Sequence, residues 1–250
     1  MPTSSPSRSP AIENVWLGAR ACIPICISVA AYGVVWGVLA GQAGMTLLEV
    51  VLMSGLVFAG ASQFVAAELW TTTAPLPVGA IIIATLIVNL RLMLMSATLR
   101  PIFAGWPTWR AALATYFVSD ESWALTMGDI DKRRAREPGR ETIGTAAFLI
   151  GAGVATWIAW FASTVIGRIL GSGIDDPSRY GLDFAFTATF LALLLGSWKG
   201  RPDLVPWIVG GLTAVIVSNV VPGQWHILAG GIIGSFAGAV VDTRRARDAA

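Results

Sequence analysis

Apolar residues run in long blocks, broken by short polar stretches rich in Gly, Pro and charge. A helix needs about 20 mostly apolar residues to cross the hydrocarbon of a bilayer. Eight segments approach that length, at 18–41, 47–70, 78–99, 108–127, 143–170, 182–198, 204–221 and 225–242. Trp16, Trp70, Trp198, Trp207 and Trp225 fall near segment ends, where indole sits well at the headgroup level. The pattern predicts an all-α polytopic membrane protein, a helical bundle of about eight segments. Segments two and four are the weakest. The second holds Glu49, Glu68 and a Gly-Ala-Ser-Gln stretch, and the fourth holds Asp120 and Glu121. If both are re-entrant, six helices span.

Composition agrees. The 250 residues are 55% hydrophobic and only 13% charged, about half the charge that a soluble domain carries. That excludes a disordered chain, and two Cys are too few for a disulfide scaffold. Residues 1–14, rich in Ser and Pro, read as a disordered cytoplasmic tail, residues 15–243 as one transmembrane transporter domain, and 244–250 as a basic cytoplasmic tail. The first apolar run is longer than the roughly 7–15 residues of a signal-peptide core, so it is expected to remain as a span.

Charge distribution sets an expected orientation. With the N-terminus in the cytoplasm and eight spans, twelve Lys and Arg face the cytoplasm. The run Lys132–Arg136 and the cluster Arg244, Arg245 and Arg247 are among them. Four (Arg100, Arg110, Arg168 and Arg179) lie outside, and Arg91 falls within the membrane. The positive-inside rule then puts both termini in the cytoplasm. With six spans the orientation is the same and Arg100 and Arg110 move inside. A net charge of +2 gives no field that would attract nucleic acid.

Phe58–Phe64 and Phe184–Phe190 share their Phe spacing at an offset of 126, and the runs ending at Asn89 and Asn219 resemble each other at an offset of 130. Transporters are commonly built from duplicated bundles with discontinuous helices. With eight spans such a repeat would be parallel rather than inverted.

Ionisable residues inside a bilayer are costly and usually face a cavity or a partner. Arg91 cannot shed its proton, so it must pair with a carboxylate, bind an anion or snorkel. Asp120 and Glu121 are neighbours that cannot share one helix face. A carboxylate held away from water suits proton relay, and Asp183 is a further candidate. Ser62, Gln63, Asn89 and Asn219 are buried polar groups that could line a path, together with Ser119. The small residues Ala59–Ser62 allow either close helix packing or a helix break whose freed backbone groups bind a substrate. No cofactor is expected and no metal cluster can be assembled, because His226 is the one histidine and Cys22 and Cys26 lie in an apolar run. Those two thiols read as small packing residues, His226, Glu49 and Glu68 as interfacial. No nucleophile–base constellation argues for an enzyme.

Four short stretches carry a resemblance: Phe58-Ala-Gly-Ala-Ser-Gln-Phe64, Val88-Asn-Leu-Arg91, Ser119-Asp-Glu-Ser122 and Leu182-Asp-Phe184. In this order they resemble the AzlC family, the large subunits of branched-chain amino acid exporters, over residues from about Gly33 to Val240. The resemblance implies export of Leu, Ile and Val, and often Met, across the bacterial inner membrane. It also implies a small AzlD-like membrane subunit and coupling to the proton gradient. It selects Gln63, Asn89, Arg91, Asp120, Glu121 and Asp183 as site positions. Leu92-Met93 departs from the family pattern, in which a histidine or another polar residue is expected after the arginine. Two alternatives stay open, a non-transporting assembly or sensor subunit and an exporter of another small amphipathic metabolite.

Overall fold

The computed structural model describes residues 10–70, 75–136, 145–171, 204–221 and 225–248, with isolated positions 173, 191, 195, 200 and 201. Segment six apart from positions 191 and 195, Asp183 and the Phe184–Phe190 half of the repeat lie outside the described residues. Among those described there are nine α-helices and no strand. They are α1 (Pro10–Gln42), α2 (Leu47–Leu56), α3 (Gly60–Leu69), α4 (Val78–Thr98), α5 (Thr108–Thr115), α6 (Asp120–Arg136), α7 (Thr145–Gly171), α8 (Leu204–Val220) and α9 (Trp225–Asp248). A short 3₁₀ turn, Arg100–Phe103, follows α4. Three of the helices (α1, α4 and α7) are long and apolar enough to cross a membrane. The all-α membrane bundle expected from hydropathy is the fold observed.

Two boundaries and two segments differ from expectation. Helix α1 starts at Pro10, so residues 10–14 form its first turn rather than part of a tail. Proline is tolerated there because the first helical amides lack intrahelical partners anyway. Helix α9 runs through the basic cluster to Asp248, placing Arg244–Arg247 on a helix. Segment two is not one helix. It breaks at Val57–Ala59, where Phe58 adopts φ of +39°, a backbone region that costs a bulky residue energy. Segment four is also interrupted, between the eight-residue α5 and α6. Ten residues of α-helix rise about 15 Å, half of a hydrocarbon core. Neither segment is therefore a single spanning helix, because each chain path turns where small or polar residues accumulate.

Backbone contact between α1 and α7 organises the bundle. The two helices run parallel, and residues 130 apart face one another: Gly18 meets Phe148 and Gly33 meets Ser163. Gly33, Gly37 and Gly41 repeat at four-residue spacing on α1, and Gly167 and Gly171 do so on α7. Small residues at that spacing let helix backbones approach closely in a membrane, where packing rather than hydrophobic burial drives association. A Cβ on Gly37 would stand 2.2 Å from the Thr164 carbonyl oxygen, and one on Gly167 2.2 Å from that of Val34.

Other elements attach to this pair. Trp36 and Trp160 pack with ring centroids 6.4 Å apart, in a core that includes Phe58 and Phe64 from the broken segment. A second core joins the 3₁₀ turn, α5 and α6 to the start of α7 through Leu99, Phe103, Val118, Ile130 and Leu149. Helix α3 packs on α4 through Val65, Leu69 and Ala84. The α8–α9 hairpin closes on itself, with Gly210 and Gly230 backbone to backbone.

Gly37→Ala is expected to lower stability by about 1–3 kcal/mol, the usual cost of overpacking, because the obstructing atom is backbone. Thermal unfolding in detergent checks this. Gly79→Ala, whose Cβ would meet nothing within 4 Å, should leave the midpoint unchanged, and equal midpoints for both variants would contradict a tight seam.

Candidate functional site

Both interrupted segments end at one cavity of about 170 Å³. Ala59, Gly60 and Ala61 from the first turn of α3 line it, as do Ser119, Asp120 and Glu121 from the start of α6. Two helix N-termini therefore converge there, each the positive pole of its helix dipole. They are finished differently. No side chain caps Ala59 at the head of α3, which leaves orphan backbone amides beside the cavity. At the head of α6, Ser122 Oγ accepts from the Ser119 amide at 2.9 Å, and Ser119 Oγ accepts from the Ser122 amide at 3.3 Å. The acids Asp120 and Glu121 in that first turn have the charge that a helix N-terminus favours.

Arg91 reaches the cavity from α4 and pairs with Asp120 at 3.0 Å. Both side chains remain more than 40% exposed, so the pair is accessible from the cavity. Glu121 lines the same space and makes no ion pair among the described residues. The rest of the lining is mostly apolar: Ile25, Val29 and Tyr32 from α1, Phe58 and Phe64 from the broken segment, Leu92 from α4 and Trp160 from α7. One end offers charge of both signs. The other offers an aliphatic and aromatic surface.

The predicted polar residues divide into lining and support. Gln63 is buried behind the wall, where its Oε1 accepts from Trp160 Nε1 at 2.7 Å and its Nε2 donates to Ser54 Oγ at 3.4 Å. It thereby joins α2, α3 and α7 across the break. Ser62 Oγ donates to the Ala59 carbonyl at 2.8 Å and accepts from Asn89 Nδ2 at 3.3 Å. Asn89 Oδ1 is buried without a hydrogen-bond partner among the described residues. Asn219 is not brought to this cavity. It stands near the end of α8, exposed, with its amide donating to Val215 of its own helix at 2.7 Å, because the hairpin folds on itself.

Glu49 forms a capping box with Thr46 at the start of α2, and Glu68 is exposed, as their positions at segment ends suggest. His226 is the second residue of α9 and half-buried. Cys22 is buried with Sγ 3.0 Å from Thr156 Oγ1, a packing role. Arg133, within the basic run, pairs with Asp129 at 2.5 Å and donates to Asn14 Oδ1 at 2.7 Å, tying α6 to α1.

Tyr116 is a site residue that the sequence reading missed. Its hydroxyl donates to the Gly55 carbonyl, just ahead of the first break, and accepts from Trp157 Nε1 at 3.0 Å. Standing just after α5, it holds one interruption against the other. A tyrosine between two half-helices was the available signal, but only the fold reveals its partner 61 residues away.

The model of the family described as AzlC protein matches residues 24–174. The chain belongs to the AzlC family. That match takes in the cavity residues from Ile25 through Trp160. An AzlC relative, the inner membrane protein YgaZ of Escherichia coli K12, is 27% identical over 240 residues, covering 94% of this chain and 93% of the relative. The branched-chain amino acid transport protein AzlC of Bacillus subtilis strain 168 is 27% identical over 191 residues, covering 74% of this chain and 70% of the relative. An uncharacterized membrane protein of Archaeoglobus fulgidus is 29% identical over 181 residues, covering 71% and 73%. No solved structure matches this AzlC chain.

Gln63→Leu should strand Trp160 Nε1 in the core and lower stability by about 1–3 kcal/mol. It should also loosen the indole, read as increased quenching of tryptophan fluorescence by a soluble quencher. Unchanged stability and quenching would remove Gln63 as the support of the cavity wall.

Proposed function

We propose that this chain exports branched-chain amino acids, Leu, Ile and Val with Met as a further candidate, from the cytoplasm across the inner membrane. It works with a small AzlD-like membrane subunit and draws on the proton gradient, with both termini in the cytoplasm. The observation that carries this reading is a single cavity that joins an apolar wall to Arg91, Asp120 and Glu121. An aliphatic zwitterion needs that combination, a cation for its carboxylate, an anion for its ammonium and an apolar surface for its side chain. The name of the Bacillus subtilis relative points to the same substrates.

The residues take roles by their chemistry. Guanidinium presents five donors in a planar fork, so Arg91 can hold a substrate carboxylate while it still touches Asp120. The uncapped amides at Gly60 and Ala61 supply further donors. Val29, Phe58, Phe64 and Trp160 meet the side chain. Ser62, Asn89 and Gln63 act from behind the wall, holding the break open and Trp160 in place. Asp120 and Glu121 are the acids available for proton exchange in the described part of the chain. The interruptions let α3 and α6 swing as half-helices, a motion consistent with alternating access.

Efflux of labelled leucine, valine and methionine from cells preloaded with dipeptides tests the reading, with the chain expressed alone and with an AzlD-like subunit. Efflux that requires both subunits is expected. Arg91→Ala should reduce it roughly ten- to hundredfold, the worth of a hydrogen bond to a charged group. No efflux of any of the three from an assembled pair in the membrane would turn the assignment to a non-transporting subunit or to another amphipathic metabolite.

A further inference from the structure

The cavity holds one more negative charge than positive among the described residues. Arg91 supplies the cation, Asp120 and Glu121 the two carboxylates. Asp120 already has its counter-ion at 3.0 Å. Glu121 has none, although it is partly buried at the start of α6 and opens onto the same space. Among the described residues no other group lining the cavity compensates it. From α1, Cys26 lies within electrostatic reach and Tyr32 lines the cavity, and neither brings positive charge. From α3 and α7 the lining is Gly60, Ala61, Phe64, Thr156 and Trp160, none of them titratable. Among the described residues the two helix N-termini are the remaining positive influence, and they are partial charges.

A lone carboxylate in a mostly apolar cavity is relieved either by an ammonium group or by a proton. It cannot take both, because protonation removes the charge that holds the ammonium. Building on the export reading above, we propose that Glu121 is the shared seat of the substrate's ammonium and of the coupling proton. The Arg91–Asp120 pair remains formed throughout and orients the substrate carboxylate. Mutual exclusion at one carboxylate is sufficient for exchange: a proton arriving from outside expels the amino acid, and the amino acid arriving from inside expels the proton. No second proton site is needed. Asp120 is thereby a positioning residue rather than the proton carrier.

Binding of labelled L-leucine and of isocaproate, which is leucine without its amino group, separates these roles. The full chain, co-expressed with the AzlD-like subunit and purified, would be titrated from mildly acidic to mildly alkaline pH. Leucine affinity should fall on acidification, by about tenfold per pH unit once Glu121 is mostly protonated. Isocaproate affinity should hold or rise, since the proton removes a repulsive charge. Glu121→Gln should abolish the pH dependence for leucine, weaken it roughly tenfold or more, and leave isocaproate nearly unaffected. Asp120→Asn should retain the pH dependence. If both ligands follow one pH trend, or if Glu121→Gln keeps the leucine trend while Asp120→Asn loses it, the shared seat is wrong. Should Glu121→Gln fail to fold, the contrast between the two ligands on the native protein decides alone. Binding of neither ligand at any pH would instead overturn the export reading on which this rests.

Discussion

Everything that surrounds the cavity hangs on backbone contact between α1 and α7. In a membrane the lipid is as apolar as the side chains, so burial of leucine against leucine gives little reason for two helices to associate. What remains is close packing, and close packing requires that side chains be absent from the contact. Gly18, Gly33 and Gly37 on one helix and Gly151 and Gly167 on the other meet that requirement. The seam fixes the separation of the walls to which Ile25, Val29 and Trp160 belong. It thereby sets the width of the space into which the broken segments point.

The interruptions acquire their meaning from that rigid pair. A helix that stops halfway leaves amides unpaired at its N-terminus, which in lipid is tolerable only where protein or a cavity receives them. Here both stops are received by one cavity, and Tyr116 ties the first to the second through Gly55 and Trp157. A network of Ser54, Gln63 and Trp160 holds α2, α3 and α7 together behind the wall. The polar chemistry is thus carried where interrupted segments begin again and by Arg91 on α4, beside the α1–α7 pair.

Much of this was legible in the sequence, and the failures have physical causes. Hydropathy located α4, α7 and α8 closely and missed only the polar start of α1 and the basic end of α9, because apolar length is the dominant constraint on a spanning helix. The breaks were visible as a choice left open between close packing and a helix break, since Ala59–Ser62 are small enough for either. Only the backbone, with Phe58 at positive φ, decides for a break. Arg91 was recognisable as a charge that needed a partner, but Asp120 rather than Glu121 could be named only from the fold, which brings the two side chains to 3.0 Å. The glycine seam was overlooked for a simpler reason. On a hydropathy scale glycine is neutral filler, and its four-residue spacing becomes informative only when a second helix with matching small residues is known to lie alongside. Asn219 matched Asn89 by local similarity, yet a side chain that bonds to its own helix backbone carries no information about a distant cavity.

On the proposal above, the ends of α3 and α6 and the side chain of Arg91 together form the seat of an amino acid. An experimental structure of the chain with leucine bound tests it most directly. Ligand density is expected between Gly60–Ala61 and Glu121, with the carboxylate beside Arg91 and the aliphatic group against Phe64 and Trp160. Leucine bound elsewhere, with this cavity empty, would overturn that assignment.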